Sequence, residues 1–283
     1  MCDSHINRRA FTAGSIATGA ALIAASVARA QDAGVAEAEI QIKTPDGMTD
    51  AALYTPKGKG PFPGVLIFTD IFGLRPASRD VGRRLATNGY VAVVTNPFYR
   101  TKKGPLMEPA VQATFNFQRD GALLQLHLAV LTPDAVTHDE LAWLAYLDAL
   151  PQVSKTARLG VDGYCMGGPR VVQASALRPD RVGAAFTAHP GNGLVTDKPD
   201  SPHLLAPKIK AKSFFAIAQN DAMQKPDIVD QLKAAYAAAG NPCGAEVFKA
   251  NHGWTMPDSA VYNKDEAERA WVVRLGLYKS ALA

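Results

Sequence analysis

Leu159-Gly160-Val161-Asp162-Gly163-Tyr164-Cys165-Met166-Gly167-Gly168-Pro169 is the segment on which the reading of this 283-residue chain turns. Its first half is a short, mostly apolar run, the pattern of a strand buried on both faces, and a helix is predicted from 169 to 177. Between them lies Gly-x-Cys-x-Gly, in which glycines stand two positions either side of one nucleophilic side chain. The spacing has a steric reason. A tight strand-to-helix turn leaves no room for a Cβ at either glycine. The helix that follows presents its N–H groups and the positive end of its dipole to negative charge developing at Cys165. The backbone N–H of Met166 is placed to stabilise an oxyanion.

Working outward, apolar runs at 64–68 and 90–94 precede this segment, and others at 184–187, 213–217 and 245–248 follow it. Helical patterns are predicted over 78–88, 137–150, 227–239 and 266–282. Strands alternating with helices predict an α/β fold, with a mostly parallel sheet covered by helices on both faces, in one domain spanning 31–283. An opening hairpin pairs 39–43 with 51–54 through Pro45-Asp46-Gly47. The stretch 101–134 breaks the rhythm. It reads either as an insertion walling the mouth of the site or as a structural helix in one strand-to-strand crossover.

A nucleophile on such a turn needs a base and an acid that orients it, arriving later in the chain as acid, then histidine. Asp221 directly follows the strand near 213–217, and His252 in Asn251-His252-Gly253-Trp254 follows the strand at 245–248. Both reach the carboxyl ends of the strands, where open α/β sheets bind ligands. His252 is predicted to take the thiol proton and return it to the leaving group, with Asp221 setting its tautomer. A second oxyanion donor is expected from Thr69-Asp70-Ile71-Phe72-Gly73, where the N–H of Ile71 is the candidate and Gly73 permits the sharp turn. Asp70 puts a carboxylate beside that loop. His189 also follows a strand but precedes the acid, so it is predicted to line the pocket, and Trp254 is grouped with it as a substrate-binding candidate.

The N-terminus has a different character. Asn7-Arg8-Arg9-Ala10-Phe11-Thr12 precedes an uncharged stretch rich in Ala, Gly and Thr, and Ala28-Arg29-Ala30 offers a cleavage site before Gln31. This order resembles a twin-arginine (Tat) export signal over residues 1–30 and implies transient contact with that machinery. The stretch is too short and too weakly apolar for a membrane span, so the mature chain is expected in the periplasm or secreted, without stable membrane anchoring. The net charge of +4 is small and forms no basic block, which argues against nucleic acid as a partner. Three cysteines make a poor disulfide framework, and His127 and His138 stand isolated, so neither a metal nor another cofactor is expected.

The elbow around Cys165, the Asp70-Ile71-Phe72-Gly73 loop and the late Asn251-His252-Gly253 segment together resemble the dienelactone hydrolase family (carboxymethylenebutenolidases), over about 37–282. The resemblance implies an α/β-hydrolase fold, a small-molecule ester or lactone substrate such as an enol lactone, and a Cys165-His252-Asp221 triad acting through an acyl-thioester. Oxyanion amides from Ile71 and Met166 follow from it too. It also implies a carboxylate that activates the resting thiol, where the family generally has Glu and this chain has the shorter Asp70. Two arginines hold the substrate carboxylate in the well-studied members. Here Met256 stands at one of those positions, and Tyr99 with Arg100 lies near the other. A second reading is a non-catalytic periplasmic small-molecule-binding protein that keeps the same fold.

Overall fold

The computed structural model describes residues 34–282, so the proposed signal at 1–30 lies outside the described residues. Eight strands form one sheet: β1 (Val35–Thr44), β2 (Gly47–Pro56), β3 (Gly64–Phe68), β4 (Val91–Thr95), β5 (Leu159–Tyr164), β6 (Val182–Ala188), β7 (Lys212–Ala218) and β8 (Gly244–Phe248). Their order is β1-β2-β4-β3-β5-β6-β7-β8. β1 pairs antiparallel with β2, and β2 with β4; every other neighbour is parallel. The central strands are buried along their whole length, which is why they read as continuous apolar runs rather than alternating ones. The hairpin is tighter than Pro45-Asp46-Gly47 suggested. Thr44 pairs with Gly47, so Pro45 and Asp46 alone make the turn and Gly47 opens β2 at φ 140°.

Nine α-helices, with three short 3-10 helices in the connections, complete the described fold: α1 (Pro76–Thr87), α2 (Pro109–Ala113), α3 (Phe117–Asp120), α4 (Gln125–Ala129), α5 (Pro133–Ala149), α6 (Gly167–Leu177), α7 (Gln219–Gln224), α8 (Ile228–Ala238) and α9 (Lys264–Ala281). Side chains of α5, α6 and α8 (Trp143, Leu147, Val171, Leu232, Tyr236) fill the core on one face of the sheet. Those of α1 and α9 (Leu85, Ala270, Trp271, Tyr278) fill it on the other. α5 starts four residues before the predicted 137, because the Thr132 side chain accepts the Ala135 N–H and Pro133 sits at the first helical position. α9 starts on Asn263, which caps Glu266, with Asp265 and Glu266 in its first turn.

The stretch 101–134 serves both of its expected roles. It is the crossover from β4 into α5, lengthened by α2, α3 and α4. Its Leu106 and Leu124 bury themselves with Phe98, and Phe115 and Leu128 pack against that cluster. The same stretch carries Gln112, Ala113, Phe115 and Phe117 to the cleft described below.

Candidate active site

Cys165 occupies the two-residue link between β5 and α6 with φ at 52°, a left-handed conformation that non-glycine residues seldom adopt. Two hydrogen bonds hold it there: its N–H donates to the Ala188 carbonyl (3.2 Å), and its carbonyl accepts from the Gly168 N–H (2.9 Å). A Cβ on Gly163 would lie 2.4 Å from the Gly167 carbonyl oxygen, and one on Gly167 would lie 2.5 Å from that of Phe68. Contact with neighbouring backbone therefore dictates both glycines. α6 begins at Gly167, two residues before the predicted start, because the glycines let its first turn press against β3 and against Pro190.

Ile71 lies in a turn closed by the Gly73 N–H donating to the Asp70 carbonyl (3.0 Å), with Gly73 at φ 71°. Among the described residues neither the Ile71 N–H nor the Met166 N–H has a protein acceptor. Their side chains pack against one shared apolar cluster, so the two loops lie together. Two unengaged amides beside a nucleophile are what an oxyanion site requires.

Asp221 falls in the first turn of α7 rather than in an open turn, and is buried. Its Oδ2 lies 2.8 Å from Nδ1 of His252. The loop bearing His252 is fixed to α7 by three further bonds. Its own N–H donates to Asn220 Oδ1 (2.8 Å), the Gln219 N–H donates to the Ala250 carbonyl (3.0 Å), and Gln219 Nε2 donates to Asn251 Oδ1 (3.0 Å). Burial by itself would lower the proton affinity of His252. Asp221 and then the Cys165 thiol outweigh it and bring the pKa up to about 10. Since this folded value exceeds the ordinary 6.5, the stability His252 contributes is complete below about pH 6.5 and is lost as pH rises through about 10. Asp221→Asn is expected to bring the imidazole pKa down by at least about one unit, read from its ring-proton NMR titration. A pKa that stays near 10 in that variant would remove Asp221 from the assignment.

His189 lines the cleft, as expected, in the left-handed region at φ 42°. Nε2 lies 2.7 Å from the Thr255 hydroxyl, and the ring centroid lies 5.1 Å from that of His252. Complete burial, with His252 alongside, holds its pKa well below the usual imidazole range, so it is neutral. Trp254 does not reach the cleft. It is fully buried, stacked on Phe248 and edge-on to His189, and acts as packing behind the histidines.

Cys165, His252, His189, Asp70 and Ile71 share a cleft of about 740 Å³ with Phe72, Phe115, Phe117 and Met256. Arg75, which the sequence reading passed over, enters the same cleft. Its Nη1 and Nη2 donate to Asp70 Oδ1 (2.6 Å) and Oδ2 (2.9 Å), while Nε and Nη2 donate to Asp258 Oδ2 (2.7 Å) and Oδ1 (3.1 Å). The Asp70 carboxylate, expected beside the thiol, is thus taken up by Arg75 and by the Phe72 N–H (3.0 Å). A signal for Arg75 was present in the sequence. It stands at the N-cap of α1, where the helix dipole disfavours a cation and Ser, Thr, Asp or Asn is usual, so carboxylates must be holding it.

Tyr99 and Arg100 are not at the cleft, which corrects their assignment as substrate contacts. Arg100 bridges Asp139 on α5 (2.7 Å) and Asp46 in the β1–β2 turn (2.6 Å), and the Tyr99 hydroxyl bonds Asp139 (2.9 Å) and Thr44 (2.7 Å). Two carboxylates capture the guanidinium and tie the hairpin to the crossover helix, so it cannot turn toward substrate. Among the described residues, no group of three or more His, Cys, Asp or Glu side chains is arranged to hold a metal ion.

The sheet order, with a cysteine on the sharp turn after a central parallel strand, defines an α/β hydrolase. The chain belongs to the dienelactone hydrolase family, whose sequence profile matches residues 49–282. A Methylorubrum extorquens protein provisionally named a carboxymethylenebutenolidase is 29% identical over 277 residues, covering 95% of this chain and 91% of that one. The carboxymethylenebutenolidase of Rhodococcus opacus is 26% identical over 204 residues, covering 71% and 73%. Among solved structures, a Klebsiella pneumoniae protein provisionally described as a dienelactone hydrolase superposes with a TM-score of 0.71 at 24% identity, over 87% of this chain and 98% of that one. The chain is therefore a hydrolase of the type that acts on esters and lactones.

Proposed function

We propose that this hydrolase cleaves an activated ester or an enol lactone through a thioester on Cys165, with His252 and Asp221 completing the triad. The observation that carries the reading is the convergence of three separate strand ends: Cys165 after β5, Asp221 after β7 and His252 after β8, with Asp221 2.8 Å from the imidazole. His252 receives the thiol proton, and its raised affinity lets it keep that proton beside the sulfur. The sulfur attacks the acyl carbon, and the carbonyl oxygen gathers negative charge facing the amides of Ile71 and Met166. The C–O bond breaks as His252 protonates the leaving oxygen. Water then attacks the thioester, giving its proton to His252, and the thiolate departs with the acid as product. Thiolates are themselves good leaving groups, so this cycle favours substrates whose departing oxygen is stabilised, as in aryl esters and enol lactones.

Stopping the enzyme in acid during turnover of p-nitrophenyl acetate tests this reading. Mass spectrometry is expected to place the acetyl group on the peptide bearing Cys165. Turnover with no acyl group on that peptide, and undiminished after Cys165 is alkylated, would overturn it. A non-catalytic binding protein would need neither the strained Cys165 nor a raised imidazole pKa, and no observation favours that alternative.

We also propose that the chain acts outside the cytoplasm after Tat export, on the strength of Arg8-Arg9 and Ala28-Arg29-Ala30. Among the described residues no helix is long and apolar enough to cross a membrane. Replacing Arg8 and Arg9 together by Lys is expected to leave an uncleaved chain in the cytoplasm, whereas the unmodified chain fractionates with the periplasm or medium and begins at Gln31. Unchanged fractionation and processing of the variant would rule out this route.

A further inference from the structure

We infer that the cleft selects uncharged acyl groups, aromatic or apolar in character, and disfavours substrates carrying a free carboxylate near the reacting carbonyl. The inference rests on the hydrolase reading of Cys165 and specifies its substrate. Among the described residues lining the cleft, Arg75 is the one arginine or lysine that could receive such a carboxylate, and its guanidinium is already occupied. Asp70 takes the Nη1/Nη2 edge and Asp258 the Nε/Nη2 edge, each through two hydrogen bonds. Of the five N–H donors of an arginine, one is left, so no two-pronged edge remains for a third carboxylate. Phe72 covers the guanidinium, its ring centroid 5.4 Å from Cζ. Gln112 Nε2 donates to Asp258 (2.9 Å) and secures that carboxylate from the far wall.

The charge balance points the same way. Asp70 and Asp258 against Arg75 leave one net negative charge on the cleft wall, and the Asp221 carboxylate stands behind His252. Met256 is buried and adds no charge. Three phenylalanines stand on the wall among small and apolar residues such as Ile71, Ala113 and Ala260. The Phe115 and Phe117 centroids lie 5.0 Å apart, and Phe72 packs 5.5 Å and 6.4 Å from them. Rings of this kind offer flat apolar surface to an acyl group and no charge-assisted partner to an anion.

Two matched probes test the inference. Iodoacetamide and iodoacetate alkylate the same thiol and differ in charge. The amide is expected to label Cys165 at least about tenfold faster than the acid, after normalisation to a free small thiol. The 4-nitrophenyl ester of monomethyl terephthalate is expected to exceed the corresponding free-acid ester in kcat/KM by a similar factor, after normalisation to the uncatalysed hydrolysis rate of each ester. The para carboxylate of the free-acid ester lies too far from the reacting carbonyl to assist the reaction. Asp258→Asn removes one charge and loosens one edge of Arg75, and is expected to narrow both ratios severalfold. Equal or faster reaction of the anionic probe in the unmodified enzyme, in either pair, would overturn the charge selection. If p-nitrophenyl acetate is not turned over while the alkylation preference stands, the hydrolase reading fails and the selectivity of the cleft holds. If p-nitrophenyl acetate is turned over and neither pair discriminates, the selectivity fails and the hydrolase reading holds.

Discussion

Cys165→Ala is expected to lower kcat/KM for p-nitrophenyl acetate by about 10⁴-fold or more, and to leave the fold intact. The size follows from the role. Removing the sulfur deletes the covalent route altogether, and the amides of Ile71 and Met166 then stabilise only direct attack by water. Alanine keeps the Cβ, so the turn at φ 52° and the packing around it are unchanged, and stability in urea should match that of the parent. This separates the variant from one at Gly163 or Gly167, where an added Cβ would collide with backbone and activity would fall through misfolding. A loss smaller than tenfold would remove Cys165 from the nucleophile's role.

Arg274→Met is expected to destabilise the protein by about 3–5 kcal/mol at neutral pH, measured by urea unfolding. Arg274 on α9 and Asp162 on β5 are both buried, with Nε 3.2 Å from Oδ2. Burial pushes the Asp162 carboxyl up to about 6 even though Arg274 pulls it down. Without the guanidinium the carboxyl rises further, and the folded state holds its proton more tightly than the unfolded chain does. The sign follows: stability from this group is complete below the unfolded value near 3.8 and is lost as pH rises through the folded value. The variant is therefore expected to be closest to the parent near pH 5 and furthest from it above pH 7. Adding Asp162→Asn to Arg274→Met is expected to recover part of the loss by removing the stranded carboxylate. A stability deficit independent of pH would assign the effect to lost packing against Tyr164, Phe186 and Trp271 instead.

Asp162 also shows how far a strand pattern can be read. The run 159–163 reads as a buried strand despite its aspartate, because apolar neighbours and flanking glycines outweigh one polar residue. The partner was illegible, since Arg274 lies 112 positions further on and only the docking of α9 brings the two together. Helix starts moved by two to four residues where a cap or a close approach decided them, as at Thr132 and Gly167. Arg100 departs from expectation for a related reason. The family resemblance puts it near a substrate-binding arginine, while Asp46 and Asp139, distant in sequence, turn it the other way.

What the sequence determined by itself was the alternation of strands and helices, the elbow around Cys165 and the order of acid and histidine. These rest on local rules: buried strands need continuous apolar runs, and a sharp turn needs glycine where a Cβ would strike backbone. Only the tertiary structure decided how the cleft is charged. Asp70 and Arg75 stand five residues apart, but Asp258 lies 183 positions beyond Arg75, and the three-way pairing forms only when the start of α1 and the His252 loop close together. Hydrogen bonds between distant residues leave no periodicity to read, so the nucleophile was visible in the string while the groups facing its substrate were not.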